Sequence, residues 1–236
     1  MSGLSIAKSL ELHLLQPLAT RDDISAGCER ARELHLACVV VAPSHVRVAA
    51  EACRGTDVRV CAAIGFPSGH DVIETKLRAI EIAVSHGADE ITVVLDQSQL
   101  AGGDITAARR ELGALLASSY WSSLTSTRGT GLLTIVVESQ LIELRQLEPL
   151  LADLADSPAE FVQSATGSQP RLETDDHIRA LRAVTPPDIG IKAVGGIVTC
   201  DDARALINAG ATRVGSSAAT SIAAEENTLR QARSNP

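Results

Sequence analysis

Residues 190–217 read GIKAVGGIVTCDDARALINAGATRVGSS, and they contain an apolar run, a stretch with helical spacing and a second apolar run. Short apolar runs rich in β-branched residues are typical of buried strands. Asp201 and Gly210 are residue types that begin and end a helix, and they stand at the two ends of the middle stretch. The segment therefore predicts a strand–helix–strand unit with parallel strands.

The same unit recurs along the whole chain of 236 residues. We predict strands at residues 9–12, 37–41, 58–64, 90–95, 132–137, 160–163, 190–193 and 213–215, and helices near residues 22–34, 44–53, 71–86, 104–117, 143–155, 174–185, 201–209 and 217–232. Eight alternating units of about 29.5 residues fit an α/β fold of the (β/α)8 TIM barrel type, as a single domain spanning residues 1–236. An open doubly wound sheet is the alternative, but no G-x-G-x-x-G follows the first strand.

Composition and charge narrow the classes of partner. Hydrophobic residues make up 45% of the chain, yet no apolar run reaches the ~18 residues of a membrane helix, and no signal peptide is evident. The five cysteines form no CxxC pair, which favours reduced thiols and a cytoplasmic location. A net charge of −8 and 2% aromatic residues argue against binding to nucleic acid.

Lysine is scarce, because only Lys8, Lys76 and Lys192 occur among the 21 basic residues. The patterns around Lys8 and Lys76 predict solvated charges. Lys192 lies in a predicted buried strand, where a lysine is rare unless it is paired. Desolvation or a neighbouring cation would lower its pKa and make it an amine nucleophile. A structural lysine paired with a carboxylate from another strand is the alternative.

Glycines and serines follow the last two predicted strands. Gly195 and Gly196 allow backbone amides to approach an anion, and Ser216 and Ser217 follow Gly215 at the start of a helix. The loops after the seventh and eighth strands commonly bind phosphate in this fold. We therefore predict an anion site here, with ordinary tight turns as the alternative.

Polar residues also mark the ends of other strands. Glu11 and His13 are two apart and therefore share one side of the first strand, while Thr92, Glu138 and Gln163 lie at or near the ends of the fourth, fifth and sixth strands. Converging carboxylates around a lysine could perform acid–base chemistry, or they could form a buried polar layer with satisfied hydrogen bonds.

The third strand contains Cys61, which is either a small core residue or part of the lining of a pocket. The sequence has no HExxH motif and no cluster of cysteine and histidine with the spacing of metal ligands. We therefore expect neither a metal nor another cofactor.

From about residue 10 to residue 218, the chain resembles the deoxyribose-phosphate aldolase family. The resemblance is carried by VCAAIGFPSG (60–69), ETK (74–76), GADEITVVL (87–95), VVESQL (136–141), FVQSATG (161–167), GIKAVGGIVT (190–199) and GATRVGSS (210–217). It implies a cytoplasmic TIM-barrel protein related to enzymes that reversibly add acetaldehyde to glyceraldehyde 3-phosphate. Because family members are often dimers or larger, it also allows a homodimer.

The resemblance also identifies departures in the chemical centre. In the family, the aldehyde forms a Schiff base with the first lysine of a KTSTG-like motif, and Gln163 occupies that position here. Lys192 matches a second lysine, whose usual role is to lower the pKa of the first. Thr92 stands for an aspartate with an acid–base role. In the first-strand motif, Glu11 replaces an aspartate and Gln16 a lysine.

The phosphate site implied by the resemblance is better preserved. Matching or adjacent positions are Thr166, Gly167, Gly195, Gly196, Gly215, Ser216 and Ser217, whereas Ser168 stands for a lysine. We therefore expect a pocket that accepts a small phosphorylated or anionic molecule but does not perform the ordinary family reaction.

Three functions stay open. The first is a lyase of the aldolase type that acts on a small phosphorylated or anionic carbonyl compound, with Lys192 as amine or acid–base group. The second is an enzyme of specialised metabolism without covalent catalysis, in which Glu11 and His13 form the acid–base pair. The third is a catalytically inactive homologue with a binding or scaffold role. Residues 118–131, which hold the only tyrosine and tryptophan, are predicted to form a surface loop.

Overall fold

The computed structural model describes residues 5–118, 132–169 and 172–234. Eight parallel strands form a closed barrel in the order of the sequence, and β8 pairs with β1. The strands are β1 (Leu10–Leu14), β2 (Cys38–Val41), β3 (Arg59–Ile64), β4 (Glu90–Val94), β5 (Leu132–Val136), β6 (Ala159–Gln163), β7 (Gly190–Val194) and β8 (Arg213–Ser216). The predicted (β/α)8 barrel is confirmed. Most of the predicted surface loop, residues 119–131, lies outside the described residues.

Helices alternate with the strands. They are α1 (Arg21–Glu33), α2 (Val46–Ala52), α3 (Ile73–Ser85), α4 (Gln97–Ala101), α5 (Ile105–Leu116), α6 (Leu144–Ala152), α7 (Asp175–Val184), α8 (Cys200–Asn208) and α9 (Ala219–Ser234), with short 3-10 helices at Ala7–Ser9 and Pro43–His45. The short helix α4 is absent from the prediction, because a five-residue helix has too few positions to show a period.

The helix between β7 and β8 begins one residue earlier than predicted. The Thr199 hydroxyl accepts a hydrogen bond from the Asp202 amide at 3.1 Å, and the Asp202 carboxylate accepts one from the Thr199 amide at 3.3 Å. This reciprocal arrangement is a capping box. The prediction that Asp201 caps this helix is therefore wrong, because the threonine two residues earlier satisfies the free amide.

The barrel divides its buried side chains into two environments. Apolar residues of the strands, such as Val39, Ile91 and Val214, belong to the large core that also contains helix residues. A second, smaller cluster consists of Ala37, Cys38, Val40, Cys61 and Ala63 on β2 and β3 and the residue before β2. Charged residues from β1, β4, β7 and β8 meet one another across the barrel. The small side chains lie directly beside the charged ones, because Glu11 is in register with Cys38 and Glu90 with Cys61.

Lys76 is buried, so the prediction of a solvated charge on this helix is wrong. Its side chain has no exposed surface; its ammonium donates to the Val94 carbonyl at 2.8 Å and pairs with the Glu111 carboxylate. The other oxygen of Glu111 accepts from the Asp96 amide at 3.1 Å. Lys76 therefore ties α3 and α5 to the end of β4, which explains a lysine on the inner face of a helix.

Candidate active site

A cavity of about 250 Å³ opens at the carboxyl end of the barrel, where residues after β1, β3, β6, β7 and β8 meet. All the residues predicted to bind phosphate line it: Thr166, Gly167, Gly195, Gly196, Gly215, Ser216 and Ser217. Of the residues predicted to be catalytic, His13 alone is part of this lining. The structure thus brings the anion-binding candidates and one titratable candidate to a common space.

Some hydrogen-bond donors of the cavity wall already have acceptors within the protein, and others are available to a bound anion. Both the amide and the hydroxyl of Thr166 donate to Glu138, and the Ser216 hydroxyl donates to the Ile197 carbonyl at 2.6 Å. Among the described residues, the hydroxyl of Ser217 has no hydrogen-bond partner, and this exposed residue lies two positions before helix α9. The side of the cavity formed by β7 and β8 therefore offers the better donors to an anion.

His13 is the buried titratable group that faces the cavity. Its side chain is 10% exposed, and its Nε2 atom has no hydrogen-bond partner in the part of the chain that the structure describes. The nearest carboxylate oxygen is Glu11 Oε2 at 3.9 Å, which is also buried and unpartnered. Buried polar atoms without partners are rare in proteins. His13 and Glu11 are therefore neighbouring buried polar groups whose facing atoms keep unused hydrogen-bonding capacity at the wall of the cavity.

Gly215 provides the room for this imidazole. A Cβ atom at position 215 would lie 2.3 Å from His13 Nε2 and 2.9 Å from Val194 Cγ2. Such distances are far inside van der Waals contact. A side chain at this position of β8 is incompatible with the observed placement of His13.

Lys192 lies inside the barrel in a group of four charged side chains, and it is not part of the cavity wall. Its ammonium is 2.8 Å from Glu11 Oε1 and 3.5 Å from Glu90 Oε2. The Arg213 guanidinium contacts the same two carboxylates at 2.8 and 2.7 Å. Lys192, Glu11 and Glu90 have no exposed surface, and Arg213 is 12% exposed. We call these four residues the barrel charge cluster.

The charge cluster fixes the protonation of Lys192. Burial by itself would lower the pKa of the ammonium, but the carboxylates of Glu11 and Glu90 outweigh burial and raise the pKa above its ordinary value. Burial likewise opposes the ionisation of Glu11, whose pKa is nevertheless held well below its ordinary value by Lys192 and Arg213. Lys192 is therefore a paired ammonium at neutral pH, as in the structural alternative considered for it above.

Phe161 packs against both cations of the cluster. The Lys192 ammonium and the Arg213 guanidinium each lie 4.9 Å from the centre of its ring. Gly190 leaves room for the ring, since a Cβ there would come within 2.5 Å of it. Cation–π contact adds to the ion pairs and holds both cations in place.

Gln163, Thr92 and Cys61 lie outside the lining of the cavity. Gln163 is 4% exposed, and its side-chain amide donates to the Ala165 carbonyl at 2.7 Å. The hydroxyl of Thr92 is 3.3 Å from the Cys61 sulfur. Cys61 is fully buried in the small apolar cluster of β2 and β3, as in the core alternative considered for it, and it is not among the residues that line the cavity.

Glu138 supports the cavity wall from behind. One oxygen, Oε1, accepts from the Thr166 amide at 2.5 Å, from the Thr166 hydroxyl and from the Gln97 side chain at 3.2 Å. The backbone of Glu138 has a φ of +41°, a left-handed conformation that costs energy for a residue with a Cβ. Because its carboxylate is engaged in this way, Glu138 acts on the shape of the site through Thr166.

Some residues that shape the site were not singled out from the sequence. Arg213 is two positions before Gly215 on β8, so strand alternation alone would have pointed it into the barrel. Gln97 gave no such signal, because it lies on the unpredicted helix α4. Ser139 is a third case: it accepts a hydrogen bond from His177, at 2.8 Å, and donates one to the Ser164 carbonyl.

Within the described residues, no group of three or more histidine, cysteine, aspartate or glutamate side chains is placed to hold a metal ion. In the same part of the chain, no helix combines the length and apolar character needed to traverse a lipid bilayer.

Similar sequences and similar solved structures point to one family. No protein-family model matches the chain. It is 34% identical to the deoxyribose-phosphate aldolase of Caldanaerobacter subterraneus over 224 residues, covering 95% of this chain and 94% of that protein. It is 35% identical to the enzyme of the same name from Streptococcus gordonii over 221 residues, covering 93% and 96%.

Solved structures give the same answer. The aldolase QR15 superposes with a TM-score of 0.84 at 25% identity, covering 99% of this chain and all of that one. The tetrameric deoxyribose phosphate aldolase from Aeropyrum pernix has a TM-score of 0.82 at 25% identity and covers 95% and 92%. Identity above 30% over nearly the whole length, on the same closed barrel, is decisive: the chain belongs to the deoxyribose-phosphate aldolase family.

Proposed function

We propose that the protein is an aldolase-type lyase that acts on a small phosphorylated or otherwise anionic carbonyl compound, and that His13 rather than a lysine transfers the proton. The named relatives support aldolase-like activity. The observation that carries the proton-transfer assignment is that His13 lines the cavity and that its buried Nε2 has no hydrogen-bond partner among the described residues.

The cavity is suited to an anionic substrate of modest size. Its volume of about 250 Å³ lies below the range of drug-sized ligand sites. Glycine-rich turns follow β7, and Ser217 precedes the 16-residue helix α9, whose amino end favours negative charge. An anionic group held on that side leaves the rest of the molecule near His13.

A Schiff base on Lys192 is disfavoured by the barrel charge cluster. A nucleophilic amine needs a free electron pair, whereas the Lys192 ammonium is paired with two buried carboxylates. Gln163, the residue matched to the family's Schiff-base lysine, is an amide whose nitrogen is not a usable nucleophile. Neither residue is among those that line the cavity.

The proposed reaction needs one acid–base group. In the direction of addition, the neutral imidazole of His13 removes a proton from the carbon beside the donor carbonyl, and the enolate attacks the acceptor aldehyde. The new carbon–carbon bond forms as the acceptor carbonyl becomes an alkoxide, which takes the proton back from the imidazolium. Cleavage is the reverse. Glu11, 3.9 Å away, stabilises the imidazolium.

Isotope exchange separates the two mechanisms. In D2O, the wild-type protein is expected to exchange the proton beside the carbonyl of a small phosphorylated aldehyde, followed by NMR. His13→Ala is expected to lower that rate by about 100-fold or more. His35→Ala is the matched control, because His35 is an exposed histidine paired with Asp57 and lies away from the cavity.

Borohydride trapping with the same aldehyde completes the test. We expect no reduced adduct on Lys192 when the peptides are mapped by mass spectrometry. An adduct on Lys192, or an exchange rate that is unchanged in His13→Ala, would contradict the proposed role of His13.

A binding homologue without turnover is the second candidate, because no lysine occurs among the described residues that line the cavity. Wild-type protein without exchange activity, together with cleavage of deoxyribose 5-phosphate restored by Gln163→Lys or by Gln163→Lys with Thr92→Asp, would favour this candidate. Exchange by the wild type would favour the enzyme.

A further inference from the structure

Arg213 is the member of the barrel charge cluster that lies on β8, the strand paired with β1. Glu11 of β1 is in register with Gly215, two residues beyond Arg213. Because alternate residues of a strand point to the same side, Arg213 and Gly215 share one side of β8, and Glu11 likewise shares one side of β1 with His13. Gly215 leaves space for the His13 ring, and Arg213 contacts Glu11.

The two carboxylate oxygens of Glu11 have different surroundings. Oε1 lies 2.8 Å from Lys192 Nζ and 2.8 Å from the guanidinium nitrogen Nη1 of Arg213. Oε2 is buried, has no hydrogen-bond partner among the described residues, and lies 3.9 Å from His13 Nε2. A single contact would leave the carboxylate free to turn about it, whereas two cations on separate strands fix its orientation. Oε2 is therefore held towards the imidazole.

The same geometry distinguishes the two nitrogens of the His13 ring. Nε2 is buried on the side of Glu11 and Gly215. Nδ1 is therefore the ring nitrogen that remains for a molecule in the cavity, whose wall includes His13. A neutral imidazole carries its proton on one nitrogen and accepts a proton on the other. A carboxylate that faces Nε2 favours the proton there and leaves the electron pair of Nδ1 to the substrate.

We propose that Arg213 is a positioning residue: it holds Glu11 so that Oε2 accepts the Nε2 proton of His13 and Nδ1 acts as the base. This inference rests on the proposed function. A small turn of the ring shortens the separation of 3.9 Å to a hydrogen bond, as happens in many enzymes when substrate binds. Nδ1 takes the proton from the carbon beside the carbonyl, Glu11 balances the charge of the imidazolium, and Nδ1 then returns the proton to the alkoxide.

Arg59 provides an internal comparison for Arg213. Its guanidinium is 3.5 Å from Glu90 Oε1, whereas Arg213 is 2.7 Å from Glu90 Oε2. Within the described residues, Glu90 is the only carboxylate within 4 Å of the Arg59 guanidinium. Loss of Arg59 thus changes the charge near the cluster without releasing Glu11.

The first test reads the tautomer of His13 from the NMR shifts of its ring nitrogens. The full chain is labelled with ¹⁵N-histidine, His13→Ala assigns the signals, and spectra are taken at a pH where the ring is neutral. We expect the wild-type ring to carry its proton on Nε2. Arg213→Met is expected to shift the ring signals towards the form protonated on Nδ1, whereas Arg59→Met should leave them unchanged.

The second test uses the proton exchange described for the proposed function. In Arg213→Met, kcat for exchange is expected to fall by about tenfold or more with little change in KM, because the wrong tautomer cannot accept the proton. Glu11→Gln removes the carboxylate that Arg213 positions, so adding Arg213→Met to it should cause no further loss. Arg59→Met is the matched control and should keep the wild-type rate.

A charge-balanced variant and a conservative variant cover the case in which Arg213→Met does not fold. Arg213→Met with Glu90→Gln removes one cation and one carboxylate and leaves the pair of Lys192 and Glu11; circular dichroism verifies its fold, and it should show the same loss of kcat. Arg213→Lys is expected to restore both the tautomer and the rate. The reason is that one nitrogen of Arg213 makes both contacts, so an ammonium can take its place.

Three results would overturn the proposal. They are a wild-type ring with its proton on Nδ1, equal changes of the ring signals in Arg59→Met and Arg213→Met, and a full additional loss of rate when Arg213→Met is added to Glu11→Gln. The ring spectra need no substrate. A wild type without exchange would therefore refute the proposed function, while the spectra would still decide whether Arg213 orients Glu11 towards His13.

Discussion

At the scale of single residues, the candidate active site depends on the absence of one side chain. Gly215 lets β8 approach β1 so closely that the His13 imidazole occupies the space a Cβ would need. The glycine is thus a condition for a buried histidine that faces the cavity. Gly215 therefore influences the proposed proton transfer indirectly, through the position of His13.

Gly215→Ala is expected to displace the imidazole, because Val194 blocks the other side of the new methyl group at 2.9 Å. Overpacking of this kind costs about 1–3 kcal/mol of unfolding free energy. A displacement near 1 Å costs about 100-fold in the rate of the proposed proton transfer. Urea unfolding, exchange kinetics and the NMR signals of the His13 ring measure the three effects.

Gly113→Ala is the matched control for that substitution. Gly113 lies in helix α5, and a Cβ there would meet no atom within 4 Å. It is expected to stabilise the protein by about 0.5–1 kcal/mol and to leave the exchange rate unchanged. Unshifted His13 signals in Gly215→Ala would contradict the steric account.

Sequence reasoning located this site well and described its charges poorly. Strand ends and glycine-rich turns are local patterns, so His13, Gly196 and Ser217 were found on the correct face. The pairing of Lys192 was left open, because the carboxylate partners come from β1 and β4 and only the closed barrel brings them within reach. Whether a buried lysine has carboxylate partners depends on strands that are distant in the sequence, so the spacing of nearby residues does not reveal it.

At the scale of elements, several helices start where a side chain accepts a hydrogen bond from a free amide of the first turn, whereas α2, α3 and α6 have no such cap. The helix between the two strands nearest the anion site shows this. Thr199 and Asp202 cap it reciprocally, so the turn from Gly195 to Thr199 has a fixed end. Sequence reasoning found the helix and missed this start by one residue, because acidic residues at positions 201 and 202 are also acceptable first-turn residues.

Thr199→Ala is expected to lower the free energy of unfolding by about 1 kcal/mol, because the Asp202 amide loses its acceptor. Asp201→Ala should cost only about 0.5 kcal/mol, since Asp201 contributes charge near the helix terminus without capping it. Thermal and urea unfolding of both variants provide the comparison. A larger loss in Asp201→Ala would show that the capping assignment is incorrect.

At the scale of the whole molecule, the barrel charge cluster connects β1, β4, β7 and β8. Its two carboxylates and two cations contact one another in the barrel interior, and the more exposed Arg59 adds a contact of 3.5 Å to Glu90. Removing one partner from such a set strands an opposite charge, which costs about 3–5 kcal/mol. The stability of the closed barrel therefore depends on the charge states of these four side chains.

Glu11→Gln is expected to lower the free energy of unfolding by about 3 kcal/mol or more at pH 7. The pKa of Glu11 is lowered in the folded protein from the ordinary value of 4.5, so its stabilisation is present above that value and is lost as the pH falls. The difference between wild type and Glu11→Gln should therefore be full at pH 7 and should shrink below about pH 4.5.

The double variant Glu11→Gln with Lys192→Met tests whether the charges act together. It should be less destabilised than the sum of the single variants by about 1 kcal/mol or more. Lys8→Met, at an exposed ion pair with Asp57, is the control and should change stability by about 0.5 kcal/mol or less. Additive losses would mean that the cluster does not act as one unit.

The burial of two of the three lysines also determines how the protein can be attached to other materials. Lys76 and Lys192 have no exposed surface, whereas the Lys8 side chain is 53% exposed. Lys8 precedes β1 and thus lies at the end of the barrel away from the cavity. Apart from the α-amino group, an amine-reactive dye or resin would accordingly find one exposed lysine side chain, and attachment through it would leave the mouth of the cavity facing the solution.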